Sequence, residues 1–301
     1  MRSILISLGL VLALPVSAQE GQVATEFDLS LSRNQRGGDA VNGSGPPLTE
    51  VEDYNLARLA ARVAIPTTGD MRFQFGLMHD ESMAETTVGG VPSNDTYRSA
   101  SLLSLQVGSA TDDRYLGGFA ALGEVRFNPD DSDQNADFHA LGVEGLWYFG
   151  DFSLGGQLGL LDSSAENPET LSDATFAAAN LSYFFDDQTR FGASAAFASG
   201  DQDVDSGSGP DPVDLLALGL EIERGFSFGP NQHAASVYGS VDWLRTREGS
   251  SSGVTEEATD LVLGIGIRIA FGPASNRARH RAFAPRLPQF GRWLGAVPAV
   301  D

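Results

Sequence analysis

The chain has 301 residues, 40 acidic and 19 basic, for a formal charge of −21. It contains no Cys, and every basic residue is Arg. Without Cys there is no disulfide framework, thiolate metal site or cysteine nucleophile. Without Lys there is no P-loop, Schiff base or kinase lysine. So negative a chain is not a general nucleic-acid binder.

Residues Met1–Ala18 read as a secretory signal peptide. Arg2 supplies the charged start, Ile4 to Leu14 the apolar run, and Val16-Ser17-Ala18 the small-residue cleavage site. No other stretch is long and apolar enough for a membrane helix, so any span must be built from strands.

From there the pattern has period two. Leu261, Leu263, Ile265, Ile267, Ile269 and Phe271 alternate with Val262, Gly264, Gly266, Arg268 and Ala270. Phe152–Leu160 and Leu216–Ile222 repeat it. Such segments lie near 23–33, 53–66, 70–80, 97–110, 114–128, 136–149, 151–162, 173–186, 189–199, 213–227, 234–246 and 258–271. Connections after even-numbered segments are short, such as Gly150-Asp151 and Asp186-Asp187-Gln188. Those after odd-numbered segments are long and polar. The face opposite the apolar one carries Gly, Ala, Ser and long charged side chains. Trp147, Phe149, Phe152, Tyr183, Phe185, Phe191, Phe226 and Phe271 cluster near short turns, while Phe127 and Trp243 lie toward the opposite ends. Together these features predict an all-β, transmembrane, antiparallel up-and-down barrel of about twelve strands with an extended C-terminal tail.

The stretch Gly266, Ile269, Phe271 resembles the terminal-strand signal of bacterial outer-membrane β-barrels. Over roughly Gln19–Gly272 the chain resembles a porin-like barrel of the twelve-strand size. Nucleoside channels, narrow acidic-sugar channels and outer-membrane phospholipase share that size. The resemblance implies a Gram-negative outer-membrane location and, with an even strand count, both chain ends in the periplasm. The chain divides into the leader 1–18, the barrel 19–272 and a basic Pro/Arg-rich periplasmic tail 273–301.

The alternation assigns candidate lumen residues: Glu26, Asp28, Glu124, Glu144, Glu221, Glu223 and Asp242 against Arg58, Arg62, Arg72, Arg126, Arg190 and Arg268. Arg58, Arg62 and Arg72 are expected to oppose Glu124, Glu144, Glu221 and Glu223 across a narrow, mixed-charge channel for small polar or charged solutes. The competing expectation is a structural or interaction barrel whose charges pair and fill the lumen. More than half the acidic residues fall in the six long loops, suited to divalent cations that bridge to lipopolysaccharide. Asp201, Asp203 and Asp205 have part of a calcium-loop spacing but lack its Gly and its final Glu; no resident cofactor is implied. In the tail, Arg277, Arg279, Arg281, Arg286 and Arg292 face only Asp301, which suits an anionic periplasmic partner, inner-leaflet headgroups or the acidic mouth of the lumen. Catalytic motifs are missing: neither His79 nor His139 has Ser two residues on, and there is no G-x-S-x-G or H-E-x-x-H. A lipid-modifying enzyme therefore needs a cross-strand site, and the chain reads as a non-enzyme.

Overall fold

A computed structural model of the chain describes residues 23–41, 53–67, 69–82, 87–88, 91–92, 99–126, 135–165, 170–202, 211–228, 233–249, 255–273 and 275–295. The leader 1–18, Phe127, Asp203 and Asp205 lie outside these residues.

Twelve antiparallel strands close into one barrel. They are β1 (Ala24–Val41), β2 (Asp53–Pro66), β3 (Met71–Ser82), β4 (Ser99–Ala110), β5 (Arg114–Arg126) and β6 (Asn135–Phe149). The second half is β7 (Phe152–Ala165), β8 (Leu171–Phe184), β9 (Thr189–Gln202), β10 (Asp211–Phe228), β11 (His233–Gly249) and β12 (Thr255–Phe271). Neighbours in sequence are neighbours in the sheet. β1 closes the ring against β12, from Thr25 opposite Phe271 to Val41 opposite Thr255. Every barrel strand has a paired neighbour on each side, so the closed sheet has no edge strand.

The outer face explains the sequence pattern. Ile265 is 67% exposed and Leu122 61%, and Leu29, Leu103, Val143, Leu158 and Ile222 are also exposed. So continuous an apolar exterior is unstable in water and suited to lipid. Phe149, Phe152, Phe185, Phe191 and Phe226 are exposed near the short turns, where amphipathic and aromatic side chains favour the membrane boundary. At one of these turns, Gly150 adopts φ +61°, a left-handed conformation that costs glycine little.

The wall is uneven in height. β10, β11, β12 and β1 have 18, 17, 17 and 18 residues, whereas β3, β4 and β5 have 12, 12 and 13. The tall strands continue past the apolar band into segments that sequence patterning assigns to loops.

Inside, aromatic rings lie across glycines on neighbouring strands. Phe138 pairs with Gly123, Phe119 with Gly142, Phe176 with Gly159 and Tyr238 with Gly266. A Cβ on any of these glycines would come within 2.7 Å of the facing ring. The glycines therefore make room for large side chains inside a narrow barrel.

The chain then turns back into the barrel. Gly272 has φ +105°, and Ser275 caps a short helix, α1 (Asn276–Ala282), by accepting a hydrogen bond from the Ala278 N–H at 3.1 Å. Arg279, His280 and Arg281 occupy its last turn, where the helix dipole favours positive charge. An irregular segment containing Pro285 and Pro288 follows, then a second short helix, α2 (Phe290–Leu294). This segment does not stand apart from the barrel: it occupies the lumen.

Candidate functional site

The site is the lumen and the tail within it. At the short-turn end, Arg277 bridges Asp151 at 2.8 Å and Asp187 at 3.1 Å, and Asn276 donates to the Gln188 carbonyl at 2.7 Å. His280 lies deeper, with Nε2 2.7 Å from Ser153 Oγ and its ring edge-on to Phe184 and Tyr148. Burial there, with Arg190, Arg279 and Arg62 nearby, holds its pKa well below the usual histidine value. Arg281 stacks over Tyr148, and its carbonyl accepts from Arg72 at 2.9 Å.

Next comes a dense ionic cluster. Arg268, only 2% exposed, bridges Asp28 at 2.7 Å, Glu221 at 2.6 Å and Glu223 at 3.1 Å, and lies over the Tyr238 ring at 3.6 Å. Arg190 binds Glu221 and Glu223, and Arg62 binds Glu26 at 2.8 Å. Two tail residues complete it. Arg279 bridges Glu26 and Glu223; Arg286 bridges Glu26 at 2.7 Å and Asp28 at 2.9 Å. The barrel alone brings four carboxylates and three guanidiniums to this cluster, and the tail supplies two more guanidiniums. Buried charge of this density is stable only when each group has partners.

Beside the cluster, Glu144 accepts hydrogen bonds from Gln106, Gln157 and Tyr115. Gln106 also donates to the Pro285 carbonyl at 2.8 Å, and Gln74 accepts from the Ala284 N–H at 2.9 Å. Two amide side chains thus grip the tail backbone where the prolines leave it without helical bonds.

Toward the long-loop end the lumen becomes apolar. Phe290, Trp293 and Leu294 pack among Phe119, Val125, Phe138, Phe176, Leu215 and Leu244. Phe290 lies 5.2 Å from Phe176 and 6.3 Å from Phe138; Trp293 lies 5.7 Å from Phe176. Full burial of each large apolar side chain contributes about 1.5–3 kcal/mol. Between tail and wall a cavity of about 390 Å³ remains.

The sequence-derived lumen residues divide clearly. Arg58, Arg62, Arg72, Arg190, Arg268, Glu144, Glu221, Glu223 and Asp242 point inward. Glu124 and Arg126 do not. They share the face of the exposed Leu116 and Leu122 and pair with each other at 2.9 Å on the barrel exterior. The reason is that β5 turns Tyr115, Phe119 and Val125 into the lumen, where they meet other apolar groups. Nor do the arginines of β2 and β3 oppose the acids across an open pore. Arg58 binds Asp80 on β3 through two nitrogens at 2.6 and 2.9 Å, and Arg62 binds Glu26 on β1. Asp80 closes the predicted segment 70–80 and is not among the assigned lumen residues, and Gln74, Gln106 and Gln157 carry no charge to flag them. Among the described residues, which include Asp201, no group of His, Asp and Glu side chains is arranged to hold a metal ion.

One cross-strand constellation lies on the outer face. His79 Nδ1 is 2.9 Å from Ser101 Oγ, and its Nε2 is 3.9 Å from Glu81. His139 lies 3.7 Å from Asp162.

No family model and no curated protein matches the sequence. The fold matches solved outer-membrane proteins. The COG4313 outer membrane channel from Pseudomonas putida F1 aligns over 86% of this chain and 97% of its own, with 13% identity and a TM-score of 0.53. The KdgM porin aligns over 80% and 99%, with 8% identity and a TM-score of 0.40. The outer membrane protease OmpT from Escherichia coli aligns over 85% and 99%, with 10% identity and a TM-score of 0.34. Closed topology, apolar exterior and the first of these matches define the chain's class. It has the fold of a twelve-stranded bacterial outer-membrane β-barrel.

Proposed function

We propose that the protein is an outer-membrane channel for passive diffusion of small polar or charged solutes, with its own C-terminal segment as the stopper. The carrying observation is that Ser275–Gly295, beyond the last strand, lies inside the lumen and adds Arg279 and Arg286 to its carboxylate cluster. A barrel built only as scaffold is filled more cheaply by apolar wall residues, because buried ions carry a desolvation cost. Here the wall keeps Glu26, Asp28, Glu221 and Glu223, and the tail supplies Arg279 and Arg286. Such an arrangement has two states, tail seated and tail released, whose balance sets permeability. In this reading the short turns and both chain ends face the periplasm. The acidic long loops face outward, toward lipopolysaccharide and the divalent cations that bridge it. Glu144, Asp242 and the arginines of β2, β3, β9 and β12 line the released pore.

Liposome swelling tests this reading. Vesicles holding a chain ended after Gly272 are expected to admit small sugars and amino acids faster than vesicles holding the full chain. Folding is checked by the heat-dependent gel shift of intact barrels. A folded, shortened barrel as impermeable as the full chain would remove the channel reading.

A second reading rests on His79, Ser101 and Glu81. A histidine within hydrogen-bond reach of a serine hydroxyl on the lipid-facing wall is the start of a hydrolase site. Ser101 sits inside a strand paired on both sides, which commits the neighbouring strand N–H groups to the ladder and away from an oxyanion. Labelling by a fluorophosphonate, lost in Ser101→Ala, would favour the enzyme; absence of labelling in the folded wild type would remove it.

A further inference from the structure

Two guanidinium groups, one from the wall and one from the tail, converge on one neutral acceptor beside the lumen cavity. Arg58 Nη2 donates to Gln289 Oε1 at 2.9 Å, and Arg292 Nη1 donates to the same oxygen at 3.1 Å. Arg58 has a carboxylate partner in Asp80. Among the described residues no carboxylate bridges Arg292. It is 8% exposed, and its Nε and Nη2 meet no acceptor among the described residues. A buried guanidinium without an anion is costly, and the cost falls when a carboxylate reaches it.

The same cavity is bordered by Asp242, within electrostatic reach of both Arg292 and Arg58, and by apolar groups including Leu56, Met78, Leu244 and Trp293. Gly219 makes room for the Asp242 carboxylate itself: a Cβ there would come within 2.6 Å of the Asp242 Oδ1 and of the Ser194 Oγ. A cavity of about 390 Å³ is at the small end of ligand sites, and a few polar anchors in an apolar wall are their usual build.

We propose that this cavity binds a small carboxylic acid with a short apolar body, the carboxylate pairing with Arg292. A hydroxyl or ammonium group on the same molecule is held by Asp242. Hydroxy acids and amino acids are the chemical class. The inference deepens the channel reading by naming what the seated tail holds, and it rests on that reading only for its role in transport. Arg292 and Trp293 belong to the tail, so the site exists only while the tail is seated, and its ligand stabilises the seated state.

Tryptophan fluorescence of the full chain in detergent tests the site without any measurement of transport. The three tryptophans are Trp147, Trp243 and Trp293. Replacing Trp147 and Trp243 by Phe leaves Trp293, buried beside the cavity, as the reporter. The probes are leucine, 4-methylpentanoate, which lacks the amine, and isoamylamine, which lacks the carboxylate. Leucine and 4-methylpentanoate are expected to give saturable changes, and isoamylamine none. Arg292→Gln is expected to weaken both acids at least tenfold. Asp242→Asn is expected to weaken leucine several-fold and leave 4-methylpentanoate unchanged.

Equal binding of the amine, indifference to Arg292→Gln, or no saturable response while Trp293 emission shows a buried ring would each overturn the site. A chain ended after Gly295 controls for self-occupancy. If acids bind only to that shortened chain, the occupant is the protein's own C-terminus and the proposal fails. Binding without swelling of vesicles by any variant would retain the site and remove the channel. Swelling without binding would do the reverse.

Discussion

The two halves of the lumen hold the tail by different physics. Near the short turns the grip is ionic: Arg279 and Arg286 enter a cluster of wall carboxylates that already has its own arginines. Near the long loops it is apolar, with Phe290, Trp293 and Leu294 among wall aromatics. The ionic half has a partner for most charges with or without the tail, so it fixes where the tail sits more than how tightly. The apolar half has no alternative partner for its rings except water, so it supplies most of the holding free energy.

Unfolding should expose the difference most strongly at Arg268. Arg268→Gln leaves Asp28, Glu221 and Glu223 sharing fewer cations, and a cost of about 3–5 kcal/mol to the whole barrel is expected. Thermal unfolding followed by circular dichroism measures it. A loss below about 1 kcal/mol would mean that the cluster is more hydrated than its geometry implies.

Phe290→Ala should act on the tail and spare the barrel. A loss of about 3 kcal/mol in tail docking is expected, with little salt dependence. The measurement is the Trp293 emission shift across a denaturant series. By contrast Arg279→Gln, which leaves Glu223 with Arg190 and Arg268, should cost about 1–2 kcal/mol. High salt should weaken wild-type docking only slightly, because the pairs are buried. Equal salt sensitivity in both variants would erase the distinction between the halves.

Acidity tests the ionic half through His280. Its pKa in the folded chain lies below the ordinary value of 6.5, so the released state binds protons more readily. The stability it contributes is complete above pH 6.5 and is lost as pH falls through the folded value. Tail docking should therefore weaken below pH 6.5, and His280→Gln should flatten that response between pH 6.5 and 5. At the short turn 186–188, Asp186 accepts hydrogen bonds from the N–H groups of Gln188 and Thr189, which hold its pKa down to about 2. This exposed group does not titrate in the same window.

The smallest effect on tail docking is expected at Gly159, which belongs to the wall. In Gly159→Ala the added methyl meets the Leu141 carbonyl and the Phe176 ring, with an expected loss of about 1–3 kcal/mol in barrel stability and a loss in tail docking below that of Arg279→Gln.

How far the sequence reveals this arrangement depends on where the alternation is clean. In β12 Leu261, Leu263, Ile265 and Ile267 alternate with Val262, Gly264, Gly266 and Arg268, and the structure turns the first set outward and buries Val262 and Arg268. In β5 Gly117, Gly118, Ala120 and Ala121 are small on both faces around the single Phe119, so the alternation does not fix the face and Glu124 and Arg126 read as lumen residues. The inward Phe119 and Val125 are compatible with a lumen only because the tail makes that half dry. The tail's destination is not readable from local pattern. Its arginines at 277, 279 and 281 show no amphipathic period, and their partners Glu26, Asp151 and Glu223 are distant in sequence. Its positive charge against an acidic barrel was the available signal, and it identifies the lumen mouth as one of several destinations.

Single-channel conductance in a planar bilayer tests the stopper most directly, comparing three proteins. One is the full chain. One ends after Gly272. In the third, Ala64→Cys and Phe283→Cys, which belong to one packed cluster, are joined by a short thiol cross-linker in the otherwise Cys-free chain. The account predicts the largest, steady conductance for the shortened chain, a smaller and intermittent one for the full chain, and the least for the cross-linked form. Three equal conductances, or none from a shortened barrel shown to be folded, would contradict it.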